Sequence, residues 1–225
     1  MGVYARVCGV VYAVIFIAAP VGEVWATGQL VVDGNAAATA AKVAASQQLW
    51  RAGYSAETLT IVCDVAIAWL LYVLLRPVNR NLALLGAFFR LTYVAAYIPA
   101  VLANVVLLPL AQQHLVKGVD FAIHIHNQAF AFSLIFFGIN LAIVGYLIGR
   151  APIDVRWLSI VLEVAGACYI INTTGILLYP PLHDAIFPWI LLPSFAGEVS
   201  LTLWLLFTKR FNGLQLEGAA AGYLT

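Results

Sequence analysis

Long apolar runs separated by short polar breaks set the pattern of this chain. Six stretches, 5–25, 58–76, 82–109, 122–148, 156–179 and 186–208, are mostly apolar. Each is close to the roughly 20 residues that a helix needs to cross a bilayer. The third and fourth exceed what an upright helix needs, so they are expected to tilt, kink or protrude, with Pro99 as the kink of the third. "RPVNRN" separates the second and third runs, and "GRAPIDVR" the fourth and fifth. Both are short and carry Arg and Pro, which suits a tight helical hairpin at a membrane surface. "YPPLHD" ends the fifth run, and 214–225 reads as a flexible tail. The pattern predicts an all-α integral membrane bundle of six transmembrane helices, a single domain over 1–213.

The one long connection, 26–57, holds a further helix. In "DGNAAATAAKVAASQQLWRAG", Asp33 or Asn35 caps the start, alanines carry the body and Gly53 stops it. Its large apolar residues are few: Val43, Leu49 and Trp50. This amphipathic helix is expected on the outer mouth or at the lipid interface, with a binding lid as the sharper reading.

Composition agrees with the pattern. The 225 residues are 64% hydrophobic and 9% charged, with a mean hydropathy of +0.97. Soluble domains are about 25% charged. Net charge is +1, which offers no basic face and excludes nucleic acid as a partner. Lysine and arginine divide unevenly across the expected membrane. Arg6, Arg76, Arg80, Arg150, Arg156, Lys209 and Arg210 fall on the N-terminal side, and Lys42, Arg51 and Lys117 on the other. The bias predicts both termini inside. The alternative for the first run is a cleaved signal, with Arg6 before the apolar stretch and "VWA" at 24–26.

Three long phrases carry a resemblance. They are "LYVLLRPVNRNLALLGAFFRL" (71–91), "FSLIFFGINLAIVGYLIGRAPIDVRWLSIVLEVAGACYII" (132–171) and "GEVSLTLWLLFTKRFNG" (197–213). With the loop at 33–53 they resemble, in order and over nearly the whole chain, a bacterial multi-pass membrane family known as domain of unknown function 4386. The resemblance implies an integral membrane protein of the cell envelope in a bacterium, and the expected location is the bacterial plasma (inner) membrane. It implies no reaction and hands over no catalytic residue.

Site candidates therefore come from physics. Ionisable residues inside spans are costly, and they pair, face the interior or line a water path. Asp64, Arg90, Glu163 and Glu198 lie on four different runs. At about 1.5 Å per residue they sit roughly 10–18 Å from the inner ends of their helices, in one layer. Arginine stays charged, so at least one carboxyl is expected to pair with Arg90. Arg90, Tyr93, Tyr97 and Asn104, spaced 3, 4 and 7, fall within about 60° on one helix face. Glu198 shares a face with Ser194 and Thr202, and Glu163 with Ser159 and the small pair Gly166–Ala167. His124, Asn127 and Gln128 form a candidate outer mouth.

Other chemistry is thin. His124 and His126 are two apart and point to different faces of a helix, so they do not share one metal ion. His114 and His183 lie outside the spans. No metal site and no cofactor is read from these spacings. Cys8, Cys63 and Cys168 sit in apolar runs and read as small buried hydrophobes. No lysine lies in a span, which excludes a retinal Schiff base. No G-x-x-x-x-G-K-[ST], H-E-x-x-H or G-x-S-x-G occurs, so no catalytic residue is named and an enzyme is disfavoured.

The expected function is binding or conducting a small molecule or protons at the buried polar layer, in contact with the lipid bilayer. Arg90 would hold an anionic group, Asp64 and Glu198 would be its partners, and Tyr93, Tyr97 and Asn104 would line the route outward. The alternative is a non-catalytic accessory or assembly subunit whose intramembrane charges only fix helix packing. A protein partner is not indicated by any motif.

Overall fold

The computed structural model describes residues 2–153 and 155–208, and among these every regular element is helical. The expected tail at 214–225 lies outside the described residues. Five helices are long and apolar enough to cross a membrane: α1 (Gly2–Leu30), α3 (Gln47–Leu75), α4 (Arg80–Gln112), α5 (Val116–Arg150) and α6 (Arg156–Leu178). The short α2 (Ala36–Ala45) stands between α1 and α3. Runs this apolar have no choice of element, because in lipid each backbone N–H must find its partner within the segment.

The last apolar run is not one straight helix from 186. It divides into α7 (Pro180–Ile186) and α8 (Leu191–Phe207), bent by 67°. Pro188 falls between them and cannot donate a helical hydrogen bond. With 17 residues, α8 alone rises only about 26 Å. A sixth crossing therefore exists only if the bent pair counts as one span.

The loop helix also ends where the sequence did not place its end. Asn35 is the cap, its Oδ1 accepting from the Ala38 N–H at 3.0 Å. The helix breaks at Ser46 (φ −120°, ψ 45°), and α3 then runs unbroken through Gly53. Gly53 is a packing residue instead of a stop. A Cβ there would stand 2.6 Å from the Ala26 Cβ.

The chain forms two compact units. Among the described residues, one comprises the N-terminal stretch up to Ala13, Asp64–Tyr93 and the residues from Leu134 to Thr208; the other comprises Val14–Cys63 and Val94–Ser133. The first is built on close approach of α5, α6 and α8. A Cβ at Gly138 would meet the Gly166 carbonyl oxygen at 2.7 Å, and one at Gly197 would meet the Ala165 Cβ at 2.6 Å. Small residues of this kind let membrane helices touch backbone to backbone. Leu141, Leu147, Leu158, Leu162 and Leu201 are fully buried around these contacts.

The second unit has its own core of Leu30, Val43, Trp50, Leu107, Leu108 and Val119. Val43 and Trp50 thus bury the apolar side of α2 and the start of α3. The Trp50 indole Nε1–H donates to the Asn104 carbonyl at 2.8 Å. Trp50→Phe keeps an aromatic ring, but a smaller one, and loses this bond, so thermal unfolding in detergent is expected to show a loss of at least about 1 kcal/mol. Unchanged stability would remove this bond from the account of how α3 and α4 are joined.

Candidate functional site

Arg90 lies in the first unit and is 1% exposed. Its Nε donates to Asp64 Oδ1 at 3.0 Å, and its Nη2 donates to the same oxygen. Nη1 donates to the Tyr12 hydroxyl at 2.7 Å and to Asn140 Oδ1 at 3.3 Å. The plane of the guanidinium is also covered: its central carbon lies 5.0 Å from the Tyr12 ring centre and 5.1 Å from that of Phe137. Asn140 is held in turn, donating to the Gly86 carbonyl at 2.8 Å. A guanidinium has five N–H donors, and four contacts here are hydrogen bonds from Arg90 to three residues. The recess beside Asn140 and Gly86 offers about 10 Å³, at the limit for one water. This arrangement neutralises a buried cation and leaves it little capacity for a ligand.

The second unit contains a different polar centre. The segment Pro20–Ala26 of α1 is a π-helix. Pro20 cannot donate the bond to the preceding turn, and the chain here takes the wider winding; the Thr27 hydroxyl donates to the Gly22 carbonyl at 2.9 Å. Such widened turns are frequent at functional sites. This one carries Glu23. Gly22 beside it makes room for Glu57 of α3, whose Cγ would lie 2.7 Å from a Cβ at that position. His126 of α5 completes the group. Ligand atoms of Glu23, Glu57 and His126 all lie within 4.8 Å of one another.

Each member is oriented by a neighbour. Tyr97 donates its hydroxyl to Glu23 Oε1 at 2.9 Å. The Asn104 amide donates to both Glu57 oxygens, at 3.0 and 3.1 Å. His126 Nδ1 lies 3.1 Å from the Ala100 carbonyl oxygen. A carbonyl only accepts, so Nδ1 carries the proton and Nε2 is directed at Glu23 Oε2, 3.4 Å away. Glu57 and His126 are buried, and Glu23 is 22% exposed. Among the described residues neither carboxylate has an ion pair with lysine or arginine.

Residues 7–208 match the family model described as "Domain of unknown function (DUF4386)". The chain belongs to the DUF4386 family. A relative from Archaeoglobus fulgidus, described as an uncharacterized protein, is 30% identical over 158 residues, covering 68% of this chain and 80% of its own length. That relative is archaeal, so membership does not by itself point to bacteria. No solved structure matches.

In this DUF4386 member the residues singled out from sequence part company. Arg90, Tyr93, Tyr97 and Asn104 are all buried, but Arg90 and Tyr93 belong to the first unit and Tyr97 and Asn104 to the second. Of the three carboxyls in the expected layer, Asp64 pairs with Arg90. Glu198 is half-buried and accepts from the Tyr169 hydroxyl. Tyr169 packs edge-on to Phe137, ring centres 5.3 Å apart, and Phe137 packs on Tyr93 at 5.0 Å. Thr202 is buried and donates to the Glu198 carbonyl at 2.8 Å.

Glu163 is exposed and accepts from Ser159 of its own helix at 3.1 Å, so it does not join a buried layer. The buried face of α6 runs through Leu162 and Gly166, one step of about 100° away. His124, Asn127 and Gln128 are likewise exposed, and His124 bonds back to the Asp120 carbonyl at 2.9 Å. The buried face of this stretch of α5 is that of His126. A groove of about 470 Å³ along α4 and α5, lined by Leu102, Val106, Phe121 and Ile125 among others, carries no ionisable side chain.

Proposed function

We propose that this protein is a membrane-embedded cation-binding protein, working at Glu23, Glu57 and His126, while the Arg90 cluster braces the helices of its unit. The observation that carries the reading is two carboxylates converging on a histidine nitrogen with no lysine or arginine paired to either, among the described residues. Two carboxylates this close together, one of them buried, repel each other, so the group favours a positive charge among them, which a protonated His126 supplies in part and a bound small cation supplies in full. The ligand is thus an ion held on the protein's interior, and the lipid bilayer is its surroundings. We assign it to the plasma membrane; the uneven division of arginine and lysine about the apolar runs favours the N-terminus inside, and the C-terminus joins it there when the bent pair counts as a sixth span.

Thermal unfolding of the detergent-purified chain with Na⁺, K⁺, Mg²⁺, Ca²⁺, Mn²⁺ and Zn²⁺ salts tests this. A ligand that binds the folded state alone raises its stability with concentration. At least one cation is expected to do so saturably, and Glu57→Gln is expected to remove most of the shift. A panel without effect on the wild-type chain would sink the reading. It would favour an accessory subunit whose charges only hold helices together, a role that Arg90, with four hydrogen bonds to three residues, already suits.

A further inference from the structure

We infer that the cation held by Glu23, Glu57 and His126 is a divalent first-row transition metal ion of the zinc type. The inference rests on the cation-binding reading above and narrows it to one class of ion.

The donor set makes the first argument. Alkali and alkaline-earth ions prefer all-oxygen cages, whereas imidazole nitrogen with carboxylate oxygen suits zinc and its neighbours. Geometry makes the second. In a tetrahedral site with bonds of 2.0–2.2 Å, neighbouring ligand atoms stand about 3.4 Å apart. His126 Nε2 and Glu23 Oε2 are 3.4 Å apart, long for a hydrogen bond and right for the edge of such a tetrahedron. The third ligand atom, from Glu57, lies within 4.8 Å of both, and one of the two hydrogen bonds from Asn104 is enough to hold the carboxylate while its other oxygen turns to the ion.

The neighbours make the third argument. Metal-binding histidines almost always donate their other ring N–H to a carbonyl or carboxylate, and ligating carboxylates are themselves hydrogen-bonded. Each protein ligand meets this condition: His126 through the Ala100 carbonyl, Glu23 through Tyr97, and Glu57 through Asn104. Charge agrees as well. Two carboxylates and a neutral imidazole carry −2, which a divalent ion cancels, and a neutral centre is the form that an apolar membrane interior tolerates best. Three protein ligands leave a coordination position open for a further donor.

The test uses the full chain in detergent, stripped with chelator and titrated with Co²⁺ and Zn²⁺. One equivalent of Co²⁺ is expected to give visible ligand-field absorption, displaced by stoichiometric Zn²⁺. His126→Gln is expected to weaken Zn²⁺ at least 10-fold. Tyr97→Phe is expected to weaken it about 10–100-fold, as removal of a supporting partner does, while keeping the Co²⁺ spectrum. His124→Gln, at an exposed histidine two residues away, is expected to leave affinity unchanged. The wild-type titration stands even if a variant fails to fold. Binding that survives His126→Gln at full affinity, or falls with His124→Gln instead, would overturn the inference. Stabilisation by Na⁺ or Ca²⁺ but not by Zn²⁺, Co²⁺ or Mn²⁺ would overturn it and leave the cation-binding reading standing. No cation effect of any kind would overturn both.

Discussion

Arg90→Met is expected to cost about 3–5 kcal/mol, because removing one partner of a buried ion pair leaves the other charge uncompensated. Asp64, 2% exposed, would be that charge, and Tyr12 and Asn140 would lose their donor with it. Methionine fills much of the vacated volume, so most of the loss is electrostatic instead of a cavity. The same logic predicts rescue. Asp64→Leu combined with Arg90→Met should recover much of the stability lost in either single variant, a coupling that a double-mutant cycle isolates. Glu163→Gln serves as the contrast. Its carboxyl is exposed, and its combination with Arg90→Met should be additive. Unfolding by heat or by anionic detergent measures all five variants, the three singles and the two doubles. If the Asp64 and Arg90 effects simply add, the bracing role assigned to the pair is wrong.

Arg90 and Asp64 were within reach of sequence reasoning because depth is legible there. Counting residues from an arginine-bearing turn gives height in the membrane at about 1.5 Å each. Height alone misled for Glu163, since it says nothing about which way a side chain points, and the buried stripe of α6 passes beside it. The helices were legible for a stronger reason: in lipid an apolar run has only one way to satisfy its backbone.

The cluster of Glu23, Glu57 and His126 was not legible, and each of its members was hidden differently. Glu23 stood near the end of the first run, where a charge looks like an interfacial residue. Only the order Pro20, Gly22, Glu23 in "PVGEVWA" hints at a widened turn. Glu57 preceded the second run by one residue and so counted as loop, although α3 already includes it. His126 stands two residues from His124 in sequence and on a different face of the helix. Its actual neighbours are carboxylates from α1 and α3, and pairing across helices has no sequence spacing to reveal it. The close packing of Gly22, Ala26 and Gly53 that brings those helices together was equally hidden, because a glycine in a helix reads first as a stop.

Gly166→Val is expected to be the most damaging change that touches no polar group. Even the first added carbon would stand 2.5 Å from the Gly138 carbonyl oxygen and 3.0 Å from the Ala142 amide nitrogen. Both are backbone atoms of α5, so no rotamer change relieves the overlap and the two helices must move apart. Overpacking of this kind costs about 1–3 kcal/mol, occasionally more. Separation would also loosen the contact of Phe137 with Tyr169, whose residues flank Gly138 and Gly166 along the same faces. Gly28→Ala provides the opposite case. No atom lies within 4 Å of a Cβ there, and alanine is favoured over glycine in a helix by roughly 0.5–1 kcal/mol. Gly28→Ala should therefore unfold at the same temperature as wild type or slightly higher, while Gly166→Val unfolds well below it. Similar melting temperatures for the two variants would mean that α5 and α6 are not in backbone contact, and the packing described for the first unit would have to be abandoned.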